Sequence, residues 1–387
     1  MLISRKLLNR YVDIKDIDTD TLTTALTDAG LEVEGVSHLA YGTDLVVGHV
    51  LECEKHPDSD NLSVCKVDIG KSVEQIVCGA ANVAKDQKVV VAQVGSVLPD
   101  LTIKPTKIRG VESNGMICSL NELGVAEKYM SEEDKEGIVV LKQGNPGDDA
   151  LSALGFDDEI IDVSQTPNRS DFLAMHAVAH EVSAIFERKL QIEDFEGASN
   201  VGSKTKLTVN SDTDKVKQFL GKVIGKVTIK ESPQWIKQAL IGSGINSINN
   251  VVDISNLVML ETGQPLHFYD IDFLEKQTLS VRDDLETTVV ALDNKEYEIQ
   301  KGDMLIMNED LPVGIAGIMG LGNSMIHDET RGLIMEVASF DMVRVRKTAS
   351  RLGLSTESSQ RFSKPMDDLA PIKAMDRAVD LLVRYAD

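Results

Sequence analysis

LVVGHVLECEKHPDSDNLSVCKVDIG, residues 45–70, decides how the first part of the chain is read. LVVGHVLECEKH and LSVCKVDIG are rich in residues that favour strands. The PDSD between them is turn chemistry, because proline presets φ and Asp and Ser bond their own backbone. Outward from this pair, QIVCGA (75–80), KVVVAQVG (88–95) and the segments 102–108 and 137–141 repeat the pattern. Gly70 and Pro99-Asp100 punctuate it. Several short strands at this spacing predict a small β-barrel over 39–150.

The flanks read differently. Helical spacing over 22–29, Gly30 as a C-cap and alternation over 31–36 make an α+β piece too short to fold alone. Asn145-Pro-Gly-Asp ends the barrel, and a helix over 172–188, capped by Ser170 or Asp171, is expected to pack on that piece. The result is a discontinuous module, 1–38 plus 152–195. EGASNVGSK (196–204) is small and polar, so 196–206 reads as a linker. A unit over 207–387 then opens with alternation at 207–209 and 221–229. It continues with a helix whose first position is Pro233, strands within 278–306 and at 333–338, and an amphipathic helix over 369–385. The fold class is α+β multidomain: an N-terminal α+β module interrupted by a β-barrel, followed by a pair of mixed α/β modules.

Composition narrows the function. The 387 residues carry a net charge of -22, which argues against DNA binding or any nucleic-acid binding by bulk electrostatics. Any RNA contact must then be local. Lys104, Lys107 and Arg109 are candidates for a basic edge meeting RNA phosphates, with Asn82 and Ser113 as polar supports, and scarce aromatics there exclude base stacking as the main mode. No apolar run approaches the ~20 residues of a membrane helix and no secretory leader opens the chain, so the expected location is cytoplasmic. Cys53, Cys65, Cys78 and Cys118 form no CxxC pair and read as core residues. His176 and His180 have ligand spacing without an evident third ligand, so no metal site is expected. His56 reads as a turn residue.

INNVVDISNLVMLETGQPLHFYD (248–270) sets Asn249, Asn250, Asp253, Ser255, Asn256, Glu261, Gln264 and His267 in an apolar frame. Buried amides and hydroxyls are costly unless paired. Two readings stay open: these groups line a polar-ligand cavity, or they form a buried network that ties loops together.

GLEVEGV (30–36), residues 46–70, IVCGAANV (76–83), IRGVESNGMICSLNELG (108–124), TPNRSD (166–171) and 248–270, in that order, resemble the β subunits of bacterial phenylalanyl-tRNA synthetases. The resemblance covers essentially the whole chain and roughly the first half of the family subunit. It implies that the barrel is an oligonucleotide-binding (OB) fold for tRNA(Phe) and that 207–387 is a B3/B4-type editing domain hydrolysing mischarged tyrosyl-tRNA(Phe). It also implies partnership with an α subunit in an α2β2 enzyme, and no aminoacylation by this chain alone. No cofactor is implied here, and ATP and Mg2+ are expected at sites outside the chain. Editing answers a physical need, because an apolar pocket rejects a ligand that merely adds a hydroxyl by only about 10²-fold.

Carried over residue by residue, the resemblance makes His267, Glu336 and Thr356 catalytic, and Ser255, Asn256, Gly317, Gly320 and Ser358 substrate-binding. Glu336 suits acceptance of a hydrogen bond from a phenol or an ammonium, and His267 suits orientation of an ester or water. The chain departs from the family pattern at Asn246, Leu321, Ser358, Ser363 and Pro365, and in HFYD, where Phe268 and Tyr269 replace Ala and Phe. Asn246 is expected to weaken contact with the RNA terminus and Leu321 to narrow the pocket. The alternative function is a noncatalytic tRNA-binding or assembly module with a decayed pocket.

Overall fold

A computed structural model describes residues 1–130, 132–193, 195, 205–274 and 276–386. They divide into two compact units, Met1–Gly35 with Ile161–Asp387, and Val36–Ile160. The expected linker lies outside the described residues except at 205 and 206.

In the Val36–Ile160 unit the long strand Leu45–Lys55 pairs antiparallel with Ser63–Asp68 on one side and Lys88–Ala92 on the other. Val73–Cys78 extends the sheet beyond Ser63–Asp68, and Met116–Ile117 and Val140–Leu141 pair with Lys88–Ala92. The far edge turns back: the Asn114 amide donates to the Gln75 carbonyl at 2.8 Å and the Val77 amide to Ser113 Oγ at 3.0 Å, which nearly closes a barrel. Alternation puts Val50, Cys65, Val67, Ile76, Val89, Val91 and Ile117 inside. Gly48 is required there, since a Cβ would lie 2.5 Å from Val91 Cγ2 and 2.6 Å from Val67 Cγ1. The strand expected over 102–108 is shorter. Thr106–Ile108 pairs only with Val111–Ser113, as a separate hairpin.

The other unit has one continuous core joining Ile3, Leu8, Leu22 and Val182 to Ile254, Val258, Met335 and Leu382. The segments expected as a separate α+β module therefore share their interior with the later part of the chain. Asp18 caps the helix Thr19–Asp28, and Gly30 takes a positive φ of 91° just beyond it. The helix expected over 172–188 begins later. Ser170–Leu173 forms a 3-10 turn, Ala174 is extended and Met175–Ile185 is helical. Asp171 does not cap, because its carboxylate is held by Arg169 at 3.0 Å. Pro233 likewise stands one residue before its helix, Gln234–Gly242.

Leu333–Phe340 is the middle strand of an antiparallel three-stranded sheet, flanked by Val216–Ile224 and Leu266–Asp270. All eight of its residues are buried, so both faces are covered. Met335 and Val337 face the core shared with the helices Asn250–Thr262 and Ala370–Tyr385. Ile334 and Ala338 face a second core, under a five-stranded sheet running Thr208–Ser211, Thr278–Arg282, Leu305–Asn308, Leu311–Ile315, Met319–Gly320. Met304 and Met307 fill that second core, and Met319 packs at its margin. Among the described residues no helix is long and apolar enough to cross a membrane.

Candidate functional site

Most of the polar run resolves into architecture. The Asn249 side chain caps the helix Asn250–Thr262 through the amides of Val251 and Val252. Asn250 donates to the carbonyls of Thr228 and Tyr385, both at 2.9 Å, and accepts from the Lys230 amide. Asp253 accepts from Ser232, Ser247 and the Ile248 amide. Glu261, fully buried, receives Arg377 and the Tyr11 hydroxyl. Gln264 donates to the carbonyls of Pro265 and Ala338. Each of these side chains has a hydrogen-bond partner inside the protein, as a buried polar group requires, although Gln264 Oε1 accepts none.

His267 behaves otherwise. It lies on the strand Leu266–Asp270, directly opposite Glu336 in the antiparallel register. Alternation sends Phe268 to the helix-side core and puts His267 and Tyr269 on the other face, beside Glu336. There they meet the turn after Leu311–Ile315 and line a partly open cavity of about 60 Å³, with His267, Tyr269, Glu336, Gly317, Gly320 and Ser358 in its lining and Phe340 and Phe362 as apolar wall. His267 Nε2 is buried with no hydrogen-bond partner from the protein.

The glycines are steric necessities. A Cβ on Gly320 would stand 2.7 Å from His267 Cε1 and 2.9 Å from Nε2. Gly317 has a φ of 70° and would press a Cβ onto Val345, Phe340 and Phe362. Thr356 holds this turn from behind, donating its hydroxyl to the Ile318 carbonyl at 2.8 Å while capping the helix Glu357–Phe362 in a reciprocal box with Ser359.

Burial sets the electrostatics. It pushes the His267 imidazole down to about 4, so the ring is neutral at physiological pH. It raises the Glu336 carboxyl to about 7, a rise opposed by the hydrogen bond from Tyr269. That bond, Tyr269 Oη to Glu336 Oε2, is 2.7 Å long. A neutral imidazole with a ring nitrogen free beside a carboxyl that titrates near neutrality is an arrangement suited to proton transfer and to orienting water.

The structure thus brings together His267, Glu336, Gly317, Gly320 and Ser358. Thr356 is one step removed, and Ser255 and Asn256 are not in the lining; the Ser255 hydroxyl donates to the Val252 carbonyl of its own helix. Leu321 does not narrow the cavity, because its side chain lies in the second core. Asn246 is exposed. The Ser363 amide extends the Glu357–Phe362 helix, and the Pro365 carbonyl accepts from Ser170. Reading by motif missed the coupling of Tyr269 to Glu336. Its signal was the HFYD departure.

On the barrel, Lys104, Lys107 and Arg109 are exposed. Lys107 pairs with Glu112 at 3.4 Å, and Arg109 donates to the Asp58 carbonyl at 3.1 Å. Asn82 and Ser113 are structural: Asn82 is bonded both ways to Ile138, and Ser113 bridges the Val77 amide and the Gly115 carbonyl. His56 accepts the Asp58 amide on Nδ1 and bonds the Ile108 carbonyl through Nε2, tying its turn to the Thr106–Ser113 hairpin. All four cysteines are free thiols, and burial pushes Cys118 up to about 12. Among the described residues no three His, Cys, Asp or Glu side chains converge as a metal would need. His176 instead packs edge-on to Tyr11.

Comparison with known proteins matches residues 45–149 to a putative tRNA binding domain and residues 215–387 to a B3/4 domain. The chain therefore joins a tRNA-binding-type barrel to a B3/4 unit, and its cavity lies in the latter. Over its whole length it is similar to the N-terminal half of the phenylalanine–tRNA ligase beta subunit. The beta subunit of Bacillus subtilis (strain 168) is 43% identical over 393 residues, which cover 100% of this chain and 49% of that protein. That of Streptococcus thermophilus (strain CNRZ 1066) is 43% identical over 399 residues with the same coverage. The chain spans about half the length of these relatives. Among solved structures, an N-terminal fragment of the Pyrococcus horikoshii phenylalanyl-tRNA synthetase beta subunit is 12% identical, covering 56% of this chain and 64% of that one at a TM-score of 0.29, an overlap too loose to bear on the fold.

Proposed function

We propose that this chain contributes tRNA(Phe) binding and hydrolytic editing of tyrosyl-tRNA(Phe) to a phenylalanine–tRNA ligase, working with an α subunit in a soluble cytoplasmic enzyme. The barrel, read as an OB fold, takes the tRNA through shape and local phosphate contacts. The His267–Glu336 cavity removes the wrong amino acid. ATP and Mg2+ belong to aminoacylation at sites outside this chain.

One observation carries the reading: the unpartnered Nε2 of buried His267 lies directly across the strand register from Glu336 in a cavity lined by glycine backbone. An aminoacyl ester is activated, so a neutral imidazole that orients one water supplies enough catalysis without a nucleophilic triad. Glu336 offers the acceptor that a phenol satisfies and a phenyl ring does not. Such a polar test discriminates far better than apolar shape where its acceptor is not already engaged.

The test is deacylation of tyrosyl-tRNA(Phe) by the chain, and by the assembled enzyme, against His267→Ala and Glu336→Ala. Hydrolysis well above the spontaneous rate, lost in both variants, is expected. A rate equal to spontaneous deacylation in both preparations favours the second reading, a noncatalytic tRNA-binding or assembly module. The internal Tyr269–Glu336 bond is the observation on that side.

A further inference from the structure

The Tyr269 ring is clamped. It is fully buried, lies edge-on to His267 with ring centroids 4.6 Å apart, and passes so close to Gly314 that a Cβ there would stand 3.4 Å from its hydroxyl. Being two residues from His267 on one strand, it reaches Glu336 diagonally across the register and donates its phenolic hydrogen to Oε2. The side chain in this pocket best placed to recognise a phenol already holds one.

We propose that Tyr269 sets the specificity of the cavity: its hydroxyl stands in for the phenol of a tyrosyl ligand at Glu336 and so lowers the pocket's preference for tyrosine over phenylalanine. The inference rests on the editing reading above. An incoming phenol must share an acceptor that the protein has already satisfied and gains less from it than from an unoccupied carboxylate. The space agrees. About 60 Å³ is less than half the ~150 Å³ that accommodates a benzene ring in a buried apolar cavity, so an entering ring must compete with Tyr269 for the wall of the site. No covalent step is involved, only the redistribution of one hydrogen bond.

Tyr269→Phe removes the internal donor and leaves the ring in place. Calorimetric titration of the whole chain with the methyl esters of L-tyrosine and L-phenylalanine reads the preference independently of RNA affinity. The parent should bind the two within a few-fold of each other. Tyr269→Phe should prefer the tyrosine ester by about tenfold, the worth of one hydrogen bond to a buried acceptor. Adding Glu336→Leu, which removes the acceptor, to Tyr269→Phe should return the ratio toward one. A merely structural role for Tyr269 would weaken both esters together and leave the ratio unmoved. A parent that already prefers the tyrosine ester tenfold, or a Tyr269→Phe protein with an unchanged ratio, overturns this inference alone. Absence of binding of either ester to either protein overturns it together with the editing reading.

Discussion

His267 and Glu336 face each other across adjacent antiparallel strands, and burial moves their titrations in opposite directions, the imidazole down to about 4 and the carboxyl up to about 7. The consequences for stability oppose each other. The unfolded chain binds a proton at His267 that the native chain refuses, so this group costs stability as pH falls from 6.5 toward 4. The native chain holds a proton on Glu336 that the unfolded chain releases, so its contribution is greatest below 4.5 and is lost as pH rises through about 7. Relative to the parent, Glu336→Gln should lose stability between pH 6.5 and 4.5, and His267→Gln should gain it, by up to about 1.4 kcal/mol per pH unit. Urea midpoints at pH 5 and pH 7 measure both slopes. Slopes of the same sign would sink the assignment.

Gly320→Ala places a methyl against the imidazole, 2.7 Å from Cε1. The strand must shift or the ring must rotate, and either moves Nε2. Deacylation should fall at least tenfold, an effect of about 1.4 kcal/mol on the barrier, while the melting temperature drops only a few degrees. Retention of full activity would show that the imidazole is not held by this backbone.

The Glu261 carboxylate is fully buried and meets Arg377 through two hydrogen bonds of 2.6 and 2.8 Å, with Tyr11 as a third partner at 2.6 Å. Arg377→Met strands that charge and should destabilise the unit by about 3–5 kcal/mol in chemical denaturation. Adding Glu261→Gln, which keeps an acceptor for Tyr11 and removes the charge, should recover much of the loss. A double variant as unstable as the single one would mean that packing of the Arg377 stem, rather than charge, dominates.

On the barrel, Lys107 is shared with Glu112 and Arg109 with the Asp58 carbonyl, while Lys104 has no such partner among the described residues. Lys104→Ala should therefore weaken tRNA binding more than Lys107→Ala and reduce the salt slope by about 0.7–0.9. Filter binding between 50 and 200 mM salt, in the assembled enzyme, checks this. Equal slopes for the parent and Lys104→Ala would remove Lys104 from the phosphate contacts.

The barrel strands were legible because a half-buried strand shows its period of two within a few residues, as SVCKVD at 63–68 does, and because a short run of β-branched residues such as KVVVA at 88–92 suits a buried strand. The helix starts at Asp171 and Pro233 were misplaced by one to a few residues. Capping depends on whether a side chain is already engaged, and Asp171 is engaged by Arg169. The candidate site was legible only as ordered motifs. Period and propensity do not say that residue 336 lies beside residue 267.

The sequence by itself pointed to a short-stranded barrel, an α/β unit with one dense polar run, and motifs that resemble those of phenylalanine–tRNA ligase beta subunits, since periodicity and motif order are local properties. Tertiary structure decided what that run is for. Asn250, Asp253, Glu261 and Gln264 bond to groups up to 135 residues away and serve architecture, whereas His267 finds no protein partner and lines the cavity. It also decided that Tyr269 donates to Glu336. Whether a buried polar group is satisfied or open depends on strand register and on distant partners, and those exist only once the chain has folded.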